Sequence, residues 1–173
     1  MPPYVLVGHL LGGLYMQYFA RRYPREVQGL ELVDSMHWDQ LSRVKAITPG
    51  IYRMTNVVSF LMGGAIRREF VGIPSTAEEI EVLPVADRIP TIVLSSSQVA
   101  TGETPAFRAL AAQLQNVIAT AYIARRHDCV SDSGHYIQRD QPQAVINAAR
   151  ELAGCDTGGV RIVSNRLEEA KPQ

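Results

Sequence analysis

Short apolar runs along this chain alternate with stretches whose apolar residues recur every three or four positions, the pattern of strands and helices in a parallel α/β sheet. Tyr4 to Val7 is such a run, ending in Gly8 as a fully buried parallel strand does. Leu11 to Arg22 reads as a helix, with Leu14, Tyr15, Tyr18 and Phe19 on one face and Arg21 and Arg22 near the C-terminal end, where their charge suits the helix dipole. Pro24 stops it. Val27 to Val33 is the next strand, closed by Asp34-Ser35, so Tyr4 to Asp34 forms one strand-helix-strand unit with a right-handed crossover.

The alternation breaks from about Met36 to Arg88. Ile51, Met54, Val57, Val58, Leu61, Met62 and Ile66 recur there at helical spacing, while Gly63-Gly64, Pro74 and Pro84 punctuate the rest. The expectation is a helical cap inserted at about residues 36–88; core packing of the same stripe against the sheet fits the spacing as well. Thr91 to Leu94 is a third strand, followed by the polar run Ser95-Ser96-Ser97-Gln98. A helix is expected from about Thr104 to Gln115, with Phe107, Leu110, Ala111 and Leu114 as its apolar face. A fourth strand falls near Arg126 to Ser131, and Ser133-Gly134-His135 reads as a loop. A closing helix over Gln141 to Leu152 carries Val145, Ile146, Ala149 and Leu152 and ends at Gly154. Asp156 to Gln173 reads as a polar tail, which leaves residues 1–155 as the domain.

Composition narrows the function classes. The chain has 173 residues, 46% of them hydrophobic, with 17 basic and 17 acidic side chains, as expected of one globular domain with a real core. The densest basic groups, Arg125-Arg126-His127 and Arg67-Arg68, fall short of a nucleic-acid or anionic-lipid footprint and read as solvated surface. Cys129 and Cys155 have neither disulfide-framework nor metal-site spacing and read as ordinary buried or half-buried thiols, with a single bridge between them left open. No signal peptide or membrane-length apolar run is evident, so a cytoplasmic protein is the expectation.

The chemistry turns on Gly8-His9-Leu10-Leu11-Gly12, which has the form of the Gly-x-Ser-x-Gly turn that presents a nucleophile between strand and helix. Leucine at the middle position has no lone pair to add to a carbonyl, which closes acyl transfer through this residue. With Tyr23-Pro24, Gly29-Leu30-Glu31-Leu32-Val33-Asp34-Ser35, Asp132-Ser133-Gly134-His135-Tyr136-Ile137 and Asp140-Gln141-Pro142 following in order, the chain resembles the α/β-hydrolase fold superfamily over most of its length.

That resemblance implies an α/β fold: a partial hydrolase sheet of about four parallel strands flanked by helices. It implies descent from a serine esterase or lipase acting on carboxylic esters by Ser-His-Asp chemistry, without metal or cofactor. Leu10 stands at the nucleophile position, His135 at the general base, and the Leu11 N–H at one oxyanion donor. The acid usually follows the strand occupied here by Thr91 to Leu94, where the first carboxylate is Glu103. Some members place it one strand earlier, which points to Asp34, although an Asp there also caps turns as a structural residue. Asp132 is expected to face solvent, His9 to pack beside the site, and His37 and His127 show no partner at useful spacing. Elements that the family carries ahead of the elbow, one of them donating a second oxyanion N–H, do not precede Tyr4, so a shortened domain with the elbow strand exposed as an apolar edge is expected. The expected outcome is an inactive esterase relative. The alternatives are a non-catalytic module that binds an apolar or ester ligand or self-associates through the edge strand, and a shortened gene product without its own function.

Overall fold

The computed structural model describes residues 3–50, 52, 53, 57, 64–98 and 104–154. Its strands are β1 (Tyr4–His9), β2 (Val27–Val33), β3 (Thr91–Ser96) and β4 (Arg126–Val130); its helices are α1 (Leu11–Arg22), α2 (Gln40–Ile47), α3 (Gly64–Val82), α4 (Pro105–Ala121), the single turn α5 (Ile137–Asp140) and α6 (Pro142–Leu152). All strand pairs are parallel, in the order β1-β2-β3-β4. Parallel pairing needs a crossover over the sheet face, and α1 and α4 supply it in their intervals.

The period-two alternation of the strands sorts the core into two faces. Leu30, Leu32 and Val93 point to one face and pack against Ala20 of α1, Ile118 of α4 and Tyr122. Val33, Ile92 and Leu94 point to the other, against Ile137, Ala148 and Leu152. Each such side chain contributes about 1.5 to 3 kcal/mol on removal from water. Burial of both faces along β2 and β3 explains why these strands read as continuous apolar runs.

α3 packs its Ile73 and Ile80 against Leu14 of α1 and Met36. Pro74, read in the sequence as a break, lies inside α3, where the Ser75 and Thr76 hydroxyls donate to the Gly72 carbonyl at 2.9 and 3.1 Å. Of the expected Met and Ile stripe, Ile51, Met54, Val58, Leu61 and Met62 lie outside the described residues, as do Glu103, Cys155 and the tail.

Several local expectations are corrected by tertiary contacts. β3 runs on through Ser95 and Ser96 because parallel pairing to Cys129 and Val130 of β4 continues past the apolar run. α4 extends to Ala121, capped at its start by Thr104 Oγ1, which accepts from the Phe107 N–H at 3.2 Å. Arg21, near the C-terminal end of α1, is buried: its guanidinium donates to Tyr122 Oη and the Ile80 carbonyl at 2.9 and 2.7 Å and lies over the Trp38 ring. Ile146 of α6 is exposed, the buried stripe being Ala148 and Leu152. Cys129 is exposed too, at the outer strand. Arg126 belongs to β4 and pairs with Asp128 and Glu151. Among the described residues no helix is long and apolar enough to cross a membrane.

Candidate active site

β1 ends at His9 and α1 begins at Leu11, so the reversal between them falls on Leu10. Leu10 adopts φ 48° and ψ −119°. A leucine in this region carries its Cβ against neighbouring backbone, at a cost on the order of 1 to 3 kcal/mol. The surroundings hold it there: its N–H donates to the Val33 carbonyl at 3.4 Å, and its carbonyl accepts from the N–H groups of Met36 and Gly13 at 2.9 and 3.1 Å. Close approach is set by two glycines. A Cβ on Gly8 would come within 2.6 Å of Gly13 Cα, and one on Gly13 would overlap the Ser35 side chain. Leu10 itself is 36% exposed, so its burial does little to offset the strain. The following residue, Leu11, opens α1, and N–H groups of a first helical turn have no intrahelical carbonyl to bond.

Asp34 closes β2 with φ 42° and its N–H bonded to the Leu94 carbonyl at 2.7 Å. Its carboxylate meets His135, which is 101 positions later in the sequence: His135 Nδ1 lies 2.7 Å from Asp34 Oδ2. Ser96 completes the cradle, its N–H on Oδ1 at 3.3 Å and its hydroxyl on Oδ2 at 3.1 Å. Burial pushes the Asp34 carboxyl up, but the hydrogen bond and charge of His135 and the two bonds from Ser96 outweigh it and hold the group below its ordinary value. With Asp34 ionised, Nδ1 of His135 is the donor, which leaves the other ring nitrogen free to accept or deliver a proton.

The loop that delivers His135 is anchored on both sides. The N–H groups of Ser97 and Gln98 donate to the Ser133 carbonyl at 3.0 and 2.9 Å, and the Gly134 N–H donates to Asp140 Oδ2 at 2.9 Å. His9 packs beside the pair, with its Nε2 2.9 Å from the His135 carbonyl oxygen and the two ring centroids 4.6 Å apart; burial lowers its pKa. Leu10, Asp34 and His135 line one cavity of about 180 Å³, shared with Gln40, Phe107 and Arg108. A larger cavity of about 430 Å³, between Pro24 and Pro90, has no hydroxyl, histidine or thiol side chain among its lining residues.

The remaining candidates lie apart from this pair. His37 is buried and stacked on Trp38, its Nδ1 accepting from the Asp39 N–H at 2.9 Å; burial and nearby Arg43 take its pKa to about 4, so the ring is neutral. Asp132 is exposed. His127, which shows no partner in the linear sequence, has one across the sheet: its Nε2 lies 2.6 Å from Ser95 Oγ. Two further residues at the site, Ser96 and Arg108, escape sequence reasoning. Arg108 donates through Nη1 to Ser96 Oγ at 3.1 Å and through Nη2 to the Ser96 carbonyl at 2.6 Å. A signal for Arg108 exists: it is the one charged residue of α4. Among the described residues no group of three or more His, Cys, Asp or Glu side chains is placed to hold a metal ion.

No family model matches the sequence, and no curated protein is detectably similar to it in sequence. Solved structures do match in fold. Tomato methylketone synthase I, as a variant complexed with β-ketoheptanoate, superposes with a TM-score of 0.55 at 12% identity, covering 88% of this chain and 71% of the enzyme. The same enzyme complexed with 2-tridecanone gives 0.55 at 11% identity, covering 87% and 70%. A probable hydrolytic enzyme from Pseudomonas aeruginosa reaches 0.46 at 23% identity, with 84% of this chain spanning 62% of that one. With its four-stranded parallel sheet covered by helices on both faces, this chain has a partial α/β-hydrolase fold.

Proposed function

We propose that this protein is a non-hydrolytic relative of the carboxylic-ester hydrolases, binding a small acyl-type ligand over Leu10 with the nucleophile lost and the acid-base pair kept. In this reading Leu10 occupies the nucleophile position at the apex of the elbow, His135 is the base, Asp34 the acid that orients it, and the Leu11 N–H one oxyanion donor. One observation carries the reading: a strained leucine and a 2.7 Å carboxylate-imidazole pair line the same cavity. Backbone strain at Leu10 and a part-buried carboxylate at Asp34 both cost free energy, and such costs cluster at functional sites. An acyl-enzyme cannot form, because no oxygen or sulfur stands at the apex. What the site retains is an imidazole able to exchange a proton with a bound ligand or water, next to an apolar floor. α2 and α3, at the cap expected for residues 36–88, would shape the entrance.

The test is the Leu10→Ser variant exposed to a fluorophosphonate probe. Labelling at position 10 is expected, lost again in Leu10→Ser with His135→Ala, while the unaltered chain stays unlabelled at that position. A folded Leu10→Ser protein that takes no label would remove the base from its role.

The binding alternative gains from the free edge of the sheet. Among the described residues β1 pairs with β2 only, and its Tyr4 and Val7 are 44% and 43% exposed. An apolar parallel strand with one open side pairs with a second copy of itself or with another chain. Size-exclusion chromatography of the protein and its Val7→Lys variant tests this: concentration-dependent dimers in the first and monomers in the second support it, and monomers throughout overturn it.

A further inference from the structure

Arg108 is a cation lining the candidate site, and among the described residues no carboxylate pairs with it. Arg43 pairs with Asp39, and Arg126 with Asp128 and Glu151. No such pair involves Arg108 among the described residues. Its guanidinium is fixed by Ser96, through Nη1 to the hydroxyl and Nη2 to the carbonyl, which uses two of its five N–H donors. The side chain is half-buried and lines two adjoining cavities, the one over Leu10 and another of about 210 Å³ reaching Ser95 and His127.

The charge beside it is already committed. Asp34 accepts from His135 and from both donors of Ser96, so its oxygens are occupied by neighbours within the fold. A partly desolvated guanidinium with spare donors in a fixed fork is matched by a planar anion that takes two parallel N–H bonds. Leu10, Phe107 and Ala111 form the apolar part of the wall, and Ser35, Gln40 and Gln115 its neutral polar part.

We infer that the ligand of this site is a carboxylate with a short apolar chain, its carboxylate held by Arg108 and its chain lying against Leu10 and Phe107. This inference rests on the preceding reading of the cavity as a ligand site and adds the class of molecule it selects. The fork fixes one end of the ligand, so Arg108 acts as a specificity residue, separate from proton exchange at His135.

Hexanoate and its neutral methyl ester are the probes, titrated into the full chain while amide shifts and the thermal midpoint are followed. Hexanoate is expected to bind about tenfold tighter than methyl hexanoate, the margin that hydrogen bonds to a charged group give. Arg108→Gln should abolish this preference by weakening hexanoate about tenfold relative to the ester; Arg108→Lys, which keeps the charge and loses the fork, should fall between. The two probes binding equally to the unaltered protein would overturn the assignment without any variant having to fold. If the ester binds and Arg108→Gln leaves hexanoate unaffected, the carboxylate assignment fails while the cavity reading stands. Failure of both probes to bind removes the two together.

Discussion

Asp34 and Arg108 meet on a single hydroxyl, the Oγ of Ser96, which lies 3.1 Å from Asp34 Oδ2 and 3.1 Å from Arg108 Nη1. The hydroxyl has one hydrogen, which goes to the carboxylate, and a lone pair, which takes the guanidinium N–H. A cation and an anion that do not touch are thereby joined, and the anion is the partner of His135.

Removing that hydroxyl therefore acts on Asp34. Its folded pKa lies below the ordinary 3.8, so the pairing stabilises the fold above about pH 4 and is lost as pH falls through the folded value. Ser96→Ala is expected to cost about 1 to 3 kcal/mol at pH 7. Urea denaturation between pH 2.5 and 7 should show the deficit shrinking once Asp34 protonates; a deficit independent of pH would mean that Ser96 contributes only packing.

Glu31 titrates in the opposite sense. It is buried to 0% exposure in the middle of β2, neither carboxylate oxygen has a hydrogen-bond partner among the described residues, and burial, only partly offset by the charge of Arg126, raises its pKa to about 8. Between its ordinary 4.5 and about 8 the folded chain keeps this proton and the unfolded chain releases it, so stability falls as pH rises across that window. Each full pH unit corresponds to about 1.4 kcal/mol. Glu31→Gln removes the titration, and its melts should gain on those of the unaltered protein from pH 5 to 8, by an amount on the order of a few kcal/mol. Parallel stability curves for the two proteins would contradict the buried, uncompensated state of this carboxyl.

Leu10 offers a substitution against the usual rule. Replacing an apolar residue by glycine ordinarily destabilises, yet at φ 48° the leucine is strained and substantially exposed. Leu10→Gly is expected to be at least as stable as the unaltered chain, by up to about 1 kcal/mol. Chemical denaturation checks it, a loss above that size showing that the leucine side chain supports more packing than its exposure indicates.

Gly13→Ala tests the tightness of the β1–α1 turn. The added methyl would overlap the Ser35 side chain, and overpacking of this kind costs about 1 to 3 kcal/mol. Adding Ser35→Gly should recover part of the loss, because it removes the atoms that clash. Additive losses in the double variant would place the strain elsewhere.

Much of this molecule is legible without tertiary information, for a local reason. β1, α1 and β2 follow from hydrophobic period and from punctuation by Gly8 and Pro24, and α1 and β2 begin and end where the pattern puts them. These signals act within a few residues of each other. The loop position of His135 and the placement of Asp34 at a strand end were legible for the same reason; their 2.7 Å contact was not, since 101 positions separate them and only the parallel register of β2, β3 and β4 closes that gap. Composition determined that the chain could bury a core and that Leu10 has no nucleophilic atom. Tertiary structure alone decided that Arg21 is buried, that Ser95 meets His127, and that Arg108 reaches the cavity over Leu10. Those placements depend on which elements the sheet brings together, and a side chain's partners across the sheet leave no periodic trace along the sequence.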